Sequence, residues 1–285
     1  MKKILFPTDF SPAAENAYIY ALQLARATDS CIIALHAYQL PSIHSAGLNN
    51  TITDYLEDLK LEEFENFKDK VPELRKIAEE NGLEKVPNEH VLEMGEPKST
   101  ILRMARDEKA DLIVMGTTGA TGAKEIFLGS VAGEVLEKAP CPVLAVPQKA
   151  EFDGKIDRLA FTTNFSNEDH VALEWLTTWA KSISAKIEVI HVDLNHIDEF
   201  SGRMSKFQNA FAEHSNLTYT VVDSSKDFQT AISEYLETTE SDFVAMVTFK
   251  RSFWQELFNK SQTKQLSYHM DLPIMAMPAA LFQNS

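Results

Sequence analysis

The chain contains a copy of itself. Residues 3–11, KILFPTDFS, correspond to residues 158–166, RLAFTTNFS, at an offset of 155 positions, and the register holds without a gap to His36 against His191. A second register, at 131 positions, sets ADLIVMG (110–116) against SDFVAMV (241–247) and PCPVLAVP (140–147) against DLPIMAMP (271–278). The two halves start and finish alike, and the second lacks 24 residues, the difference between the offsets, between its second and third strand-like runs. Self-similarity of this length indicates two copies of one folding unit. At 285 residues, each copy can bury its own core without disulfide or metal support. We expect two domains, 1–148 and 155–282, joined near 148–155.

Within the first copy, short branched apolar runs at 2–8, 31–38, 87–94, 110–116 and 142–147 alternate with segments of helical spacing. Ala17, Ala21, Leu24 and Ala25 form one such face; Ile101, Leu102 and Ala105 form another. Ser11-Pro12 and Glu96-Pro97 mark helix starts, because proline at the first helical position gives up no intrahelical hydrogen bond. Strands alternating with helices predict an α/β fold with a parallel sheet covered on both faces. Such a sheet takes ligands at its carboxyl edge, where the strand order reverses. The insert at 51–81 carries Leu56, Leu59, Leu61, Phe64, Phe67, Val71 and Leu74, a stripe expected to pack on its own domain.

Charge narrows the range of partners. The chain has 27 Lys and Arg against 42 Asp and Glu, a net charge of −15, and no basic cluster, which argues against nucleic acid and anionic membranes. No apolar run approaches the about 20 residues a bilayer span needs. Met1 leads directly into a strand-like run, so a cytoplasmic protein is expected. Cys31 and Cys141 lack metal-ligand spacing and read as small buried apolar residues. His36 and His191 repeat without a nearby His or Cys partner, which favours a shared structural role.

Five of the ten glycines, at 116, 119, 122, 129 and 133, follow the fourth strand. Gly116, two residues, Gly119, nine residues, Gly129 and Ser130 form a loop leading into a helix that starts at Ser130 and Val131. Glycines able to take positive φ and lacking Cβ let a phosphate approach backbone N–H groups, and the helix start adds its positive dipole end. A turn that merely caps a helix is the simpler alternative. A Walker A loop is excluded because Ala123 and Glu125 flank Lys124; a dinucleotide fingerprint is excluded because Pro7-Thr8-Asp9 follows the first strand. Asp9 lies at the same carboxyl edge and can accept bonds from a ribose hydroxyl or an exocyclic amine, or can serve as a helix-start acid. Ala37 leaves backbone groups open to a flat base.

ILFPTDFS, ALHAY and GTTGATGAKEIFLGSVAGEVLEKAPCPVLAVP resemble the nucleotide-binding type of the universal stress protein family, here in tandem form. The resemblance implies two five-stranded α/β domains paired through their last strands, Val143 to Val146 against Ile274 to Met277, as an intramolecular pseudo-dimer, with a further homodimer left open. It implies ATP, or ADP or AMP, in the first domain, with Mg²⁺ accompanying the phosphates. Asp9 and the backbone of Ala37 would hold adenine and ribose; Gly116, Gly119, Gly129, Ser130 and Val131 would hold ribose and phosphates; Pro7, Thr8 and Met115 complete the site.

The second copy has lost these features. Gly116, Gly119 and Gly129 become Val247, Lys250 and Lys260, Asp9 becomes Asn164, and only Ser130 persists, as Ser261. Arg251, Phe253, Trp254 and Phe258 give that loop an aromatic character, expected to reflect core packing. One nucleotide per chain is therefore expected. No carboxylate pair or histidine is aimed at a γ-phosphate, so no residue is assigned a catalytic role and slow ATP hydrolysis is the upper limit. RMSKF at 203–207 faintly resembles a synthetase loop and is read as chance. A stress or energy-status sensor is the favoured function, with a nucleotide-independent interaction scaffold as the alternative.

Overall fold

The structure is a computed structural model that describes residues 2–41, 49–117, 129–194, 199–248 and 272–283, without the side chains of 49–53 and 199–201. The first half runs β1 (Lys3–Pro7), α1 (Pro12–Thr28), β2 (Cys31–Tyr38), α2 (Asn49–Glu80), β3 (Asn88–Met94), α3 (Pro97–Asp107), β4 (Leu112–Gly116), α4 (Ser130–Lys138) and β5 (Val143–Val146). The second runs β6 (Arg158–Thr162), α5 (Asn167–Ser182), β7 (Lys186–Asp193), α6 (Glu199–Ala210), β8 (Leu217–Asp223), α7 (Phe228–Leu236), β9 (Phe243–Thr248) and β10 (Ile274–Pro278). The strands form one ten-stranded sheet in the order β3-β2-β1-β4-β5-β10-β9-β6-β7-β8. Neighbours are parallel except β5 and β10, which run antiparallel with Val143 opposite Ala276, Leu144 opposite Met275 and Ala145 opposite Ile274. The tandem α/β fold and its pairing through the last strands are as the sequence implies.

Alternation along each strand divides the core into two layers. Ile4 and Phe6 face α1, α2, α5 and α6, whereas Leu5 faces the layer containing α3, α4 and α7. Both layers run across the β5–β10 seam, with Leu144 and Met275 in one and Val143, Ala145, Ile274 and Ala276 in the other. The linker is tied to α1: Asn16 Nδ2 donates to the carbonyls of Pro147 (2.9 Å) and Ala150 (3.0 Å), and the Tyr20 hydroxyl donates to that of Glu151 (3.1 Å).

Both sequence registers reappear as repeated contacts. Asp111 Oδ2 accepts from the amides of Lys2 (2.6 Å) and Lys3 (3.0 Å), and Asp242 Oδ2 accepts from those of Asp157 and Arg158, both at 2.8 Å. Each carboxylate ties the amino end of one strand to its neighbour. At the other end of β1, the Phe10 amide donates to Thr8 Oγ1 (3.0 Å), as the Phe165 amide does to Thr163 Oγ1 (2.9 Å). Both phenylalanines have left-handed backbones, with φ of 58° and 63°. A non-glycine residue holds that conformation only when its surroundings over-determine it. Part of that restraint comes from His36 and His191, whose Nδ1–H groups donate to the Thr8 and Thr163 carbonyls at 2.8 Å in each case. Their rings pack on Phe10 and Phe165, with centroids 5.0 and 4.6 Å apart. The repeated histidine thus fixes the turn after the first strand of each half.

Helix α2 departs from the expected full packing of its stripe. Phe67 and Leu74 are buried, Leu56, Leu59 and Val71 are half-buried, and Leu61 and Phe64 are 61% and 51% exposed. Among the described residues, the buried side chains of this 32-residue helix lie in its carboxyl half, with Phe67 packing on the ring of His36. Its counterpart α6 has 12 residues, which accounts for the shortened second copy, and RMSKF lies within it as helix. Cys141 is buried, its thiol pKa pushed up to about 12 by burial, but Cys31 is only half-buried. Among the described residues, no helix is long and apolar enough to cross a membrane.

Gly116 has a packing role that loop flexibility does not supply. A Cβ there would lie 2.9 Å from the backbone C and O of Ala13, so α1 sits against β4 only because residue 116 has no side chain. Gly116→Ala should lower unfolding free energy by about 1–3 kcal/mol in urea titrations. Asp242 yields a prediction of known sign. Burial, and then the neighbouring Asp153 and Asp157, outweigh its two amide bonds and raise its pKa to about 6. The folded state therefore binds this proton more tightly than the unfolded chain, and the group's contribution falls as pH rises from about 4 to about 6. The stability of Asp242→Asn relative to wild type, measured by urea unfolding, should increase across that interval.

Candidate functional site

The strand order reverses between β1 and β4, so their carboxyl ends diverge and leave a crevice. A cavity of about 360 Å³ opens there. Pro7, Thr8 and Asp9 line it from the end of β1, Ala37 from β2, Met115 and Gly116 from β4, and Gly129, Ser130 and Val131 from the start of α4. These are nine of the ten residues expected to form the site; Gly119 lies outside the described residues. So do Lys124 and the second-half residues Lys250, Arg251, Phe253, Trp254, Phe258, Lys260 and Ser261.

Six further lining residues, Ala14, Leu35, Pro97, Ile101, Thr117 and Ala132, were not anticipated. Pro97 and Ile101 come from the first turns of α3, whose start was legible as Glu96-Pro97; their convergence on the crevice depends on where α3 packs. Among the described residues the lining is mainly aliphatic and contains no aromatic ring.

The helix starts around the cavity differ in their electrostatics. Ser11 Oγ accepts from the Ala14 amide (3.3 Å) and caps α1, while Glu96 Oε2 accepts from the Ser99 amide (2.9 Å) and caps α3. Burial alone would raise the Glu96 pKa, but the hydrogen bonds from Ser99 hold it below the usual carboxylate value. Helix α4 begins after Gly129 with no side-chain cap. The first amides of a helix have no carbonyl partner inside it and lie at the positive dipole end, so an anion is favoured there. Among the described residues, no lysine or arginine lines the cavity. The nearby Lys98 instead bridges α3 to α4 through Glu134 at 3.4 Å.

The expected glycine geometry is corrected in part. Gly129 has φ of −56°, and Gly116 also lies outside the left-handed region. At Gly116 the missing side chain serves close approach rather than an unusual backbone. The Gly129 amide donates to the Thr117 carbonyl at 2.8 Å, which draws together the two ends of the intervening segment. Asp9 Oδ1 accepts from the Ser11 amide at 3.1 Å, so the carboxylate also holds its own turn. Both the binding role and the helix-start role considered for Asp9 are compatible with this geometry. Among the described residues, no group of three or more His, Cys, Asp or Glu side chains could hold a metal ion.

The profile of the universal stress protein family matches residues 1–147. Universal stress protein MJ0577 of Methanocaldococcus jannaschii is 36% identical over 160 residues, which span 52% of this chain and 96% of that protein. A universal stress protein of Archaeoglobus fulgidus, 19% identical, matches the fold over 97% of this chain and 98% of its own, with a TM-score of 0.72. A solved Arabidopsis thaliana protein of the family with AMP bound is 20% identical, covers 54% of this chain and 98% of its own, and has a TM-score of 0.34. The fold, the β1 and β4 loop sequences and these matches together place the chain in the universal stress protein family.

Proposed function

We propose that the chain binds one adenine nucleotide, ATP or its ADP or AMP counterpart, in its first domain, 1–148, and acts as a stress or energy-status sensor. The second domain, 155–282, is then a structural partner held through β10. The observation that supports this reading is the convergence of nine anticipated residues on one crevice beside an uncapped helix start. The volume falls within the range of small-ligand sites, about 300–1,000 Å³. Asp9 and the Ala37 backbone supply polar contacts for ribose and base, and the amides of Ser130 and Val131 face the phosphates. Mg²⁺ would enter with the phosphates, because Asp9 is the one carboxylate lining the described cavity. Occupancy biases the protein's shape or assembly only as far as the ligand prefers one state, which is the physical content of sensing.

The reading is tested by calorimetric titration with ATP and by analysis of nucleotide released from denatured purified protein. One equivalent per chain is expected. Gly119→Lys, which installs the residue the second half carries at that register, should abolish binding while leaving the melting temperature unchanged. Two equivalents per chain, or undiminished affinity in that variant, would overturn it.

A further inference from the structure

The internal register sets Thr8, Asp9, Phe10, Ser11 and Ala14 against Thr163, Asn164, Phe165, Ser166 and Asp169. The turns are built alike: the same left-handed phenylalanine, threonine-to-amide bond, histidine tie and serine helix cap occur in both. The residue at the inner wall differs. Ala14 lines the cavity of the first half with a methyl group. Asp169 is 4% exposed, and its Oδ2 accepts from Asn164 N (2.9 Å), Ser166 N (3.1 Å) and Thr163 Oγ1 (3.1 Å). A helix capping box requires only the bond from the Ser166 amide. The other two donors belong to Thr163 and Asn164, the counterparts of Thr8 and Asp9, which line the cavity in the first half. There the Ser11 amide is instead held by Asp9 Oδ1.

We propose that Asp169 is a built-in stopper that helps to exclude a ligand from the second half by engaging the polar groups of the turn after β6. Its carboxylate occupies, in the second half, the corner that Ala14 leaves open in the first. A ligand entering there would find the Asn164 amide and the Thr163 hydroxyl already engaged by a desolvated carboxylate. Val247, at the register of Gly116, packs against the hydrophobic core, so the two halves differ at this wall as well and removing the stopper alone is not expected to restore a site. The proposal rests on the nucleotide reading of the first-half cavity and adds the feature that excludes nucleotide from the second.

The test transplants the stopper. In full-length Ala14→Asp, the new carboxylate should draw a bond from the Asp9 amide, slowing its hydrogen exchange without lowering the melting temperature. ATP affinity should fall by about 100-fold or more. In Asp169→Ala, the Asn164 and Ser166 amides should exchange faster. Wild-type ATP affinity in Ala14→Asp, unchanged exchange at Asp9 in a folded variant, or persistent protection of Asn164 and Ser166 in Asp169→Ala would each overturn the proposal. Failure of the wild-type protein to bind any adenine nucleotide would instead defeat the functional reading, leaving the stopper to be judged by amide exchange in both variants.

Discussion

The antiparallel pairing of β5 with β10 is the contact on which the rest of the architecture depends. Each strand would otherwise be the exposed edge of a parallel sheet, lined with backbone groups seeking partners. Joined, they turn two five-stranded sheets into one, and every residue of both strands is buried. Both hydrophobic layers then run through the seam. The second half therefore has a structural role whether or not it keeps a ligand site, which gives its divergent loops freedom to change.

The candidate site depends on a different constraint, the reversal of strand order at β1 and β4. Once these strands diverge, the turns after them and the amino ends of α1, α3 and α4 surround one crevice. Two of those helix starts are satisfied by their own side chains, Ser11 and Glu96; the third is left to backbone amides. In a chain of net charge −15, an anion-receptive surface made from backbone dipoles is local and does not depend on the overall balance. The close fit of Gly116 on Ala13 and the histidine-held turn at Phe10 keep the crevice walls in place.

Much of this was legible because the signals were local. The run 31–38 is β2 to the residue, and Ser11-Pro12 and Glu96-Pro97 begin helices where the proline places them. Candidate lining residues from β1, β2, β4 and α4 were legible because a parallel sheet sends those segments to one edge. Pro97 and Ile101 were missed because their presence depends on how α3 lies across the sheet. The outer half of α2 was misjudged because periodicity reports a helix face and not how far the domain beneath it extends. Gly116 was singled out for backbone freedom and for a missing Cβ that would admit a phosphate; in the structure the missing Cβ lets α1 approach at Ala13. Asp169 carries no signal in the sequence that sets it apart, because its partners at Thr163, Asn164 and Ser166 depend on how the turn folds back on the helix start.

The seam also fixes a geometry that neither half has alone. Because β5 and β10 run in opposite directions, the carboxyl edge of the first half lies beside the amino edge of the second. The carboxyl edge of the second half consequently faces the opposite rim from the first-half crevice. Whatever approaches the mouth of that crevice therefore meets, on the same rim, the strand starts of the other repeat.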